Sequence, residues 1–159
     1  MPTFSVSNTI GVTLTNVDTT SQFTTGTVVN TSDGGQAIYV QALSEISTYA
    51  AVAVYDTQKA QMLTTTLAAT CKRVGFAQTS IASGYYGWVQ LGGKVIVNLA
   101  ANAAPNVPLY TTATVGVLDD AVVSGGVVFG LVATTSISNA TAVTCIAGYP
   151  NIGSGIVGT

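Results

Sequence analysis

Histidine is absent from this chain of 159 residues, and Asp, Glu, Lys and Arg together make up only 6% of it. General acid–base catalysis draws on those side chains held at tuned pKa values. Without His there is no Ser-His-Asp arrangement. A Ser-Lys dyad would need Lys59, Lys72 or Lys94, and none of them stands in a recognisable motif. The composition therefore leads to the expectation of a protein that is not an enzyme. The sole acidic doublet, Asp119-Asp120, reads as a solvated turn, because a calcium site recruits several closely spaced oxygen donors. The pair Lys72-Arg73 reads as exposed charge at a strand start. Cysteine is limited to Cys71 and Cys145. Two cysteines so far apart make no CxxC or zinc pattern. They are expected to be buried thiols acting as small hydrophobes, with a late disulfide as the alternative. No metal and no cofactor is expected.

Charge of one sign is also missing. The net charge of −2 comes with no Lys/Arg cluster, whereas nucleic acid is met by such clusters. Long apolar runs are lacking too. The most apolar stretch, Ala121–Ile137, is broken by Ser124-Gly125-Gly126 and by Thr134-Thr135-Ser136. It falls short of the roughly 18 residues of a membrane helix and reads as buried strands. Neither nucleic acid nor a membrane is expected as a partner. The opening residues, Met1 to Val6, lack the basic and apolar regions of a secretory leader.

What remains is Thr, Val, Ala and Gly. Hydrophobic residues account for 48% of the chain and the mean hydropathy is +0.52. Small and β-branched apolar residues suit pleated, half-buried surfaces. Near-zero charge leaves little self-repulsion, so close association of many copies costs little.

Residues 1–28 are polar and Thr-rich and read as an N-terminal arm or edge strand, followed by a single β domain over 29–159. Asp33-Gly34-Gly35 signals a tight turn into Ala37–Leu43, where Ile38, Val40 and Ala42 share a face. Further strands are expected at Val52–Tyr55, Met62–Thr66, Arg73–Ile81 and Gly84–Leu91. A Gly92-Gly93 turn is expected to make a hairpin with Lys94–Leu99. Later strands follow at Leu109–Thr112, Val115–Leu118, Val127–Thr134 and Ala142–Gly148, before a Gly-rich tail from Tyr149. Ser44–Ala51 admits a helix, against which its β-branched residues count. Strands this short and regularly spaced indicate an all-β sandwich or barrel, of jelly-roll or β-tulip type, with an extended N-terminal arm. No fixed-period repeat is evident, which argues against a solenoid or propeller.

Three bulky aromatics, among them the sole Trp, fall in one strand. Alternation puts Tyr86 and Trp88 on one face and Tyr85 with Val89 on the other. Exposed, such rings stack on sugars or partner surfaces; buried, they are core. The flanking Gly84 and Gly87 leave room for close approach. Core or intersubunit packing is the favoured role of Tyr85, Tyr86 and Trp88, ahead of a sugar platform.

The same segments carry a resemblance. Asp33–Ala42 resembles the opening strand of small decoration, or cement, proteins of tailed bacteriophage heads. Val74-Gly75-Phe76-Ala77-Gln78 followed by Ser83–Gln90 is similar to the central strands of that group. Leu109–Asp120 is similar to its later strand pair, and Phe129-Gly130-Leu131-Val132 to the strand after that. The resemblance spans about residues 30–150 in a consistent order. It implies a non-enzymatic β protein on the outer surface of the capsid, with the major capsid protein and itself as partners. It further implies a homotrimer over three-fold and quasi-three-fold positions. On that reading the arm contacts the capsid through Thr3, Phe4, Val6 and Ile10. The alternative is a carbohydrate-binding or host-adhesion module of a head fibre or tail.

Overall fold

The computed structural model describes residues 12–153 apart from Lys72 and Gly125. The twelve strands among the described residues are β1 (Val17–Asp18), β2 (Val28–Asn30), β3 (Gln36–Ala42), β4 (Ala51–Val54), β5 (Lys59–Met62), β6 (Arg73–Ala77), β7 (Tyr86–Gln90), β8 (Gly92–Leu99), β9 (Leu109–Thr111), β10 (Leu118–Asp119), β11 (Val127–Ala133) and β12 (Thr141–Ile152). The single short helix among the described residues, α1 (Thr65–Ala68), is capped by the Thr64 hydroxyl, which accepts the Leu67 N–H.

The strands close into barrels. In the first, β3 pairs β5 in parallel, β5 pairs β4, β4 pairs β6, β6 pairs β7, and β7 returns to β3, the last four antiparallel. The second ring repeats the order. Strand β8 pairs β10 in parallel, followed by β10–β9, β9–β11, β11–β12 and β12–β8, all antiparallel. The correspondence holds residue by residue. Ile38 opposite Val89 recurs as Val95 opposite Cys145. Ala42 opposite Ala60 recurs as Leu99 opposite Leu118, and Val52 opposite Gly75 as Leu109 opposite Val128. Even a loop bond repeats, since Leu43 N–H donates to Ala60 O and Ala100 N–H to Leu118 O, both at 2.8 Å.

The chain is thus a tandem structural repeat with an offset of roughly 57 residues, one supersecondary unit per copy. The sequence shows no fixed-period repeat, and this one exists in the pairing of the strands alone. The sequence conceals it because barrel interiors accept any small apolar residue of suitable volume. The register also shifts at a bulge between Phe129 and Leu131 in β11, which has no counterpart in β6.

Two cores follow. Ile38, Val40, Val52, Ala60, Ala77 and Val89 fill the first barrel. Val95, Val97, Leu99, Leu109, Leu118 and Cys145 belong to the second cluster. The outer face of the first barrel, with Ala51, Ala53, Val74 and Phe76, joins that second cluster. All four residues of β4 are therefore buried, two toward each core. A strand buried on both faces reads as a continuous apolar run. The junction also uses Gly35, where an added Cβ would lie 1.8 Å from the Gly92 carbonyl oxygen.

Other local expectations change. Gly92 and Gly93 do not turn a hairpin. They begin β8 opposite Gly148 and Ala147 of β12, and carry the chain from one barrel to the next. Met62 ends β5 where the strand Met62–Thr66 was expected to begin, and the helix starts at Thr65. Ser44–Ala51 forms no helix; Ile46 makes an isolated antiparallel bridge to Ile81. Val115–Leu118 shrinks to a two-residue β10, and β12 extends past Gly148 to Ile152. Cys71 and Cys145 are buried thiols in the same cluster, with their sulfurs directed at backbone carbonyls.

Candidate interaction surface

The aromatic strand faces inward toward its own chain. Trp88 on β7 and Tyr39 on β3 are cross-strand partners on the outer side of the first barrel. Cross-strand neighbours on one face bring their side chains together, and these ring centroids lie 5.0 Å apart. The segment leading to β2 then covers them. Phe23 sets its ring edge-on to Tyr39 at 5.3 Å and to Trp88 at 5.4 Å. Val12 and Leu14 pack on the same cluster. Tyr86 stacks over Tyr39 at 6.1 Å. Trp88 is 1% exposed, and its indole Nε1 is buried with no hydrogen-bond partner among the described residues. Tyr85 points to the other side and is exposed. A sugar platform built on Tyr86 and Trp88 together is therefore closed by the chain itself. Thr3, Phe4, Val6 and Ile10 lie outside the described residues.

One polar group anchors the cover. The Tyr39 hydroxyl donates to Asp18 Oδ2 at 2.6 Å and accepts the Gln22 N–H at 3.2 Å. Burial, with the Asp18 carboxylate beside it, pushes the Tyr39 phenol up to about 12. Asp18 itself sits on β1, which pairs antiparallel with β7 through Val17–Gly87 and Asp18–Tyr86. The part of the arm that is described is an edge strand and lid of the first barrel.

Three further carboxylates serve as fasteners. Asp33 accepts the Thr31 hydroxyl and the Lys94 N–H, the latter at 2.8 Å, which ties the β2–β3 turn to β8. Burial opposes its ionisation, but the hydrogen bonds outweigh it and hold the carboxyl below its ordinary value. Asp120 accepts the Ala104 N–H at 3.0 Å, and Asp119 accepts the N–H of Asp120. Among the described residues no group of three His, Cys, Asp or Glu is placed to hold a metal ion. A cleft of about 380 Å³ lies over Tyr55, Asp56, Cys71 and Arg73.

An apolar surface that sequence reasoning missed lies on the second barrel. Val132 of β11 and Ile146 of β12 face each other in register on its outer side. They are 40% and 51% exposed, and Phe129 nearby is 54% exposed. A groove of about 300 Å³ runs alongside, walled by Asn106, Val107, Pro108 and the 127–132 stretch of β11. Ile146 follows Cys145 and precedes Ala147, so no polar alternation marks it as outward-facing. By the repeat, Val132 stands where Phe76 stands in the first barrel and Ile146 where Gln90 stands. Those two residues are 0% and 4% exposed.

No family model matches the chain. No curated protein matches it. Among solved structures it is similar to the N base of the head fibre protein gp8.5 of bacteriophage phi29. The TM-score is 0.52 at 13% identity, covering 74% of this chain and 97% of the other. At that identity the likeness is one of fold. No helix among the described residues is long and apolar enough to cross a membrane.

Proposed function

We propose that this chain is a structural protein of a tailed-phage head, a decoration protein that binds the outer capsid surface and stabilises the lattice of major capsid proteins as a homotrimer. The observation that carries the reading is the fold shared with a head fibre base over nearly all of that base. It agrees with the strand-by-strand resemblance to cement proteins and with a surface poor in charge. Binding only to the closed lattice stabilises that lattice by mass action. A cyclic trimer presents one identical patch to each capsid neighbour at a three-fold site. The proposed partners are the major capsid protein and the chain itself, with neither nucleic acid nor membrane, and no catalysis is assigned.

The second reading is a base or adhesion module of a head fibre, and the same fold likeness favours it. Quantitative mass spectrometry of purified particles separates the two. A ratio near one copy per major capsid protein supports the cement role. A handful of copies per particle overturns it in favour of the fibre, and absence from particles overturns both.

A further inference from the structure

The repeat shows how one barrel of this fold receives the next. The first barrel grips the edge of β8 at two corners. Tyr49 O accepts the Asn98 N–H at 2.9 Å, and Thr48 O accepts Asn98 Nδ2 at 2.9 Å. The Gln78 amide bonds both the N–H and the carbonyl of Ile96, at 3.3 and 3.2 Å. Beside these corners Phe76 and Val74 are sealed in the shared core. The same end of the second barrel is made by Asn106, Thr134, Val127 and Val132. Asn106, Val127 and Val132 of this end line the open groove, and Val132 is exposed beside Ile146.

The opposite end of the pile is closed differently. On the first barrel, the edge of β3 that corresponds to the edge of β8 is taken by β2. Strand β2 pairs only with β3 among the described residues, and Val28 on it is 45% exposed. Among the described residues, one molecule thus has an unfilled receiving end on its second barrel and, at its far end, a strand with one edge unpaired.

We infer that the open end of the second barrel, centred on Val132 and Ile146, receives the β2 end of a second copy of this chain, head to tail. The occupant is argued from the molecule, because the equivalent face of the first barrel is filled by a barrel of this same fold. A strand edge fits corners that already hold a strand edge, and an unpaired edge invites such pairing. With a net charge of −2, two copies approach with little repulsion. Head-to-tail contacts generate a ring when the rotation closes. The inference deepens the self-association in the proposed function by giving it a surface, and its test needs no capsid.

Sedimentation velocity of the full chain over a concentration series tests it, with Val132→Lys/Ile146→Lys, Val28→Lys and a control Val122→Lys in an exposed loop. The expected result is an oligomer for the unmodified chain and for the control. Each interface variant should dissociate, with association weakened at least about tenfold and an unchanged far-ultraviolet spectrum. Mixing the two interface variants should restore a dimer, because each supplies the surface the other lacks. A monomeric unmodified chain overturns the inference, as does an oligomer that survives both interface variants. Association lost with Val132→Lys/Ile146→Lys but kept with Val28→Lys overturns the head-to-tail arrangement. Particle binding is measured separately. Binding by a monomer, lost on changing Val132 and Ile146, would assign this face to the capsid and leave the head-structural reading standing.

Discussion

Tyr49 and Asn106 occupy the same corner of successive barrels, and both adopt left-handed backbone, at φ 61° and 59°. Each donates its N–H to the matching carbonyl, Tyr49 to Ala77 at 2.8 Å and Asn106 to Ala133 at 3.0 Å. Left-handed backbone at a residue other than Gly is uncommon and costly for bulky side chains. Its recurrence at both corners means the barrel closure demands it. Asn is among the residues that tolerate it best.

Asn106 is exposed within a single chain, so at concentrations where the chain is monomeric substitutions there test the backbone and little else. Asn106→Val is expected to lower stability by about 1–2 kcal/mol. Asn106→Gly should stay within about 0.5 kcal/mol of the unmodified protein. Urea unfolding measures both. A Val variant as stable as the Gly variant would show that the corner does not require left-handed backbone.

Inside the first barrel, Gly75 makes room for Val89. A Cβ added at Gly75 would lie 2.3 Å from Val89 Cγ1. Gly75→Ala should therefore destabilise by overpacking, by about 1–3 kcal/mol. In the double variant Gly75→Ala/Val89→Ala much of that loss should vanish, with a coupling energy of about 1 kcal/mol or more in a double-mutant cycle. Strict additivity of the two single changes would mean that the crowding is relieved elsewhere.

Trp88 carries two opposing contributions. Its ring is buried among Tyr39, Phe23 and Tyr86, so Trp88→Ala should cost about 3–5 kcal/mol. Its indole N–H is buried and unpartnered among the described residues, which costs about 1–3 kcal/mol in itself. Trp88→Phe keeps a ring and removes that donor, so it should cost far less than Trp88→Ala. Thermal unfolding of the pair decides the matter, and equal losses would show that the retained phenyl ring recovers none of the packing of the indole.

Much of the fold was legible locally. Alternation placed Tyr86 and Trp88 opposite Val89, and grouped Ile38, Val40 and Ala42 on one face, as the two clusters bear out. The turn at Gly34 followed from its chemistry, with φ at 85°. The closures were not legible. The parallel pairing of Ala42 with Ala60, which shuts the first barrel, leaves no local mark. Gly92-Gly93 has the chemistry of a hairpin turn yet serves as a crossing between barrels, where Gly93 takes a φ of +87° beside the Asp33 carboxylate. The repeat itself survives in register and not in identity, with Val89 matched by Cys145 and Ala60 by Leu118. The open face at Val132 and Ile146 could be recognised only once its sealed twin in the first barrel was known.

Alkaline pH should weaken the second core through Cys145 and the lid of the first barrel through Tyr39. Burial first, and the hydrogen bond to Asp18 second, raise the Tyr39 phenol from 10.0 to about 12. Burial raises the Cys145 thiol from 9.0 to about 11. In both cases the folded state holds its proton longer than the unfolded chain does. The stabilisation is therefore fully present below the unfolded value and is lost as pH rises through the folded one. Stability should begin to fall above pH 9 as Cys145 is drawn in, and continue to fall up to about pH 12 through Tyr39. Tyr39→Phe keeps the ring against Trp88 and removes the ionisation. Its urea midpoint should start lower, for want of the bond to Asp18, and decline less steeply above pH 10. Parallel curves for the two proteins would place the alkaline loss elsewhere, and Cys145→Ala, followed through the same titration, would show whether the thiol accounts for it.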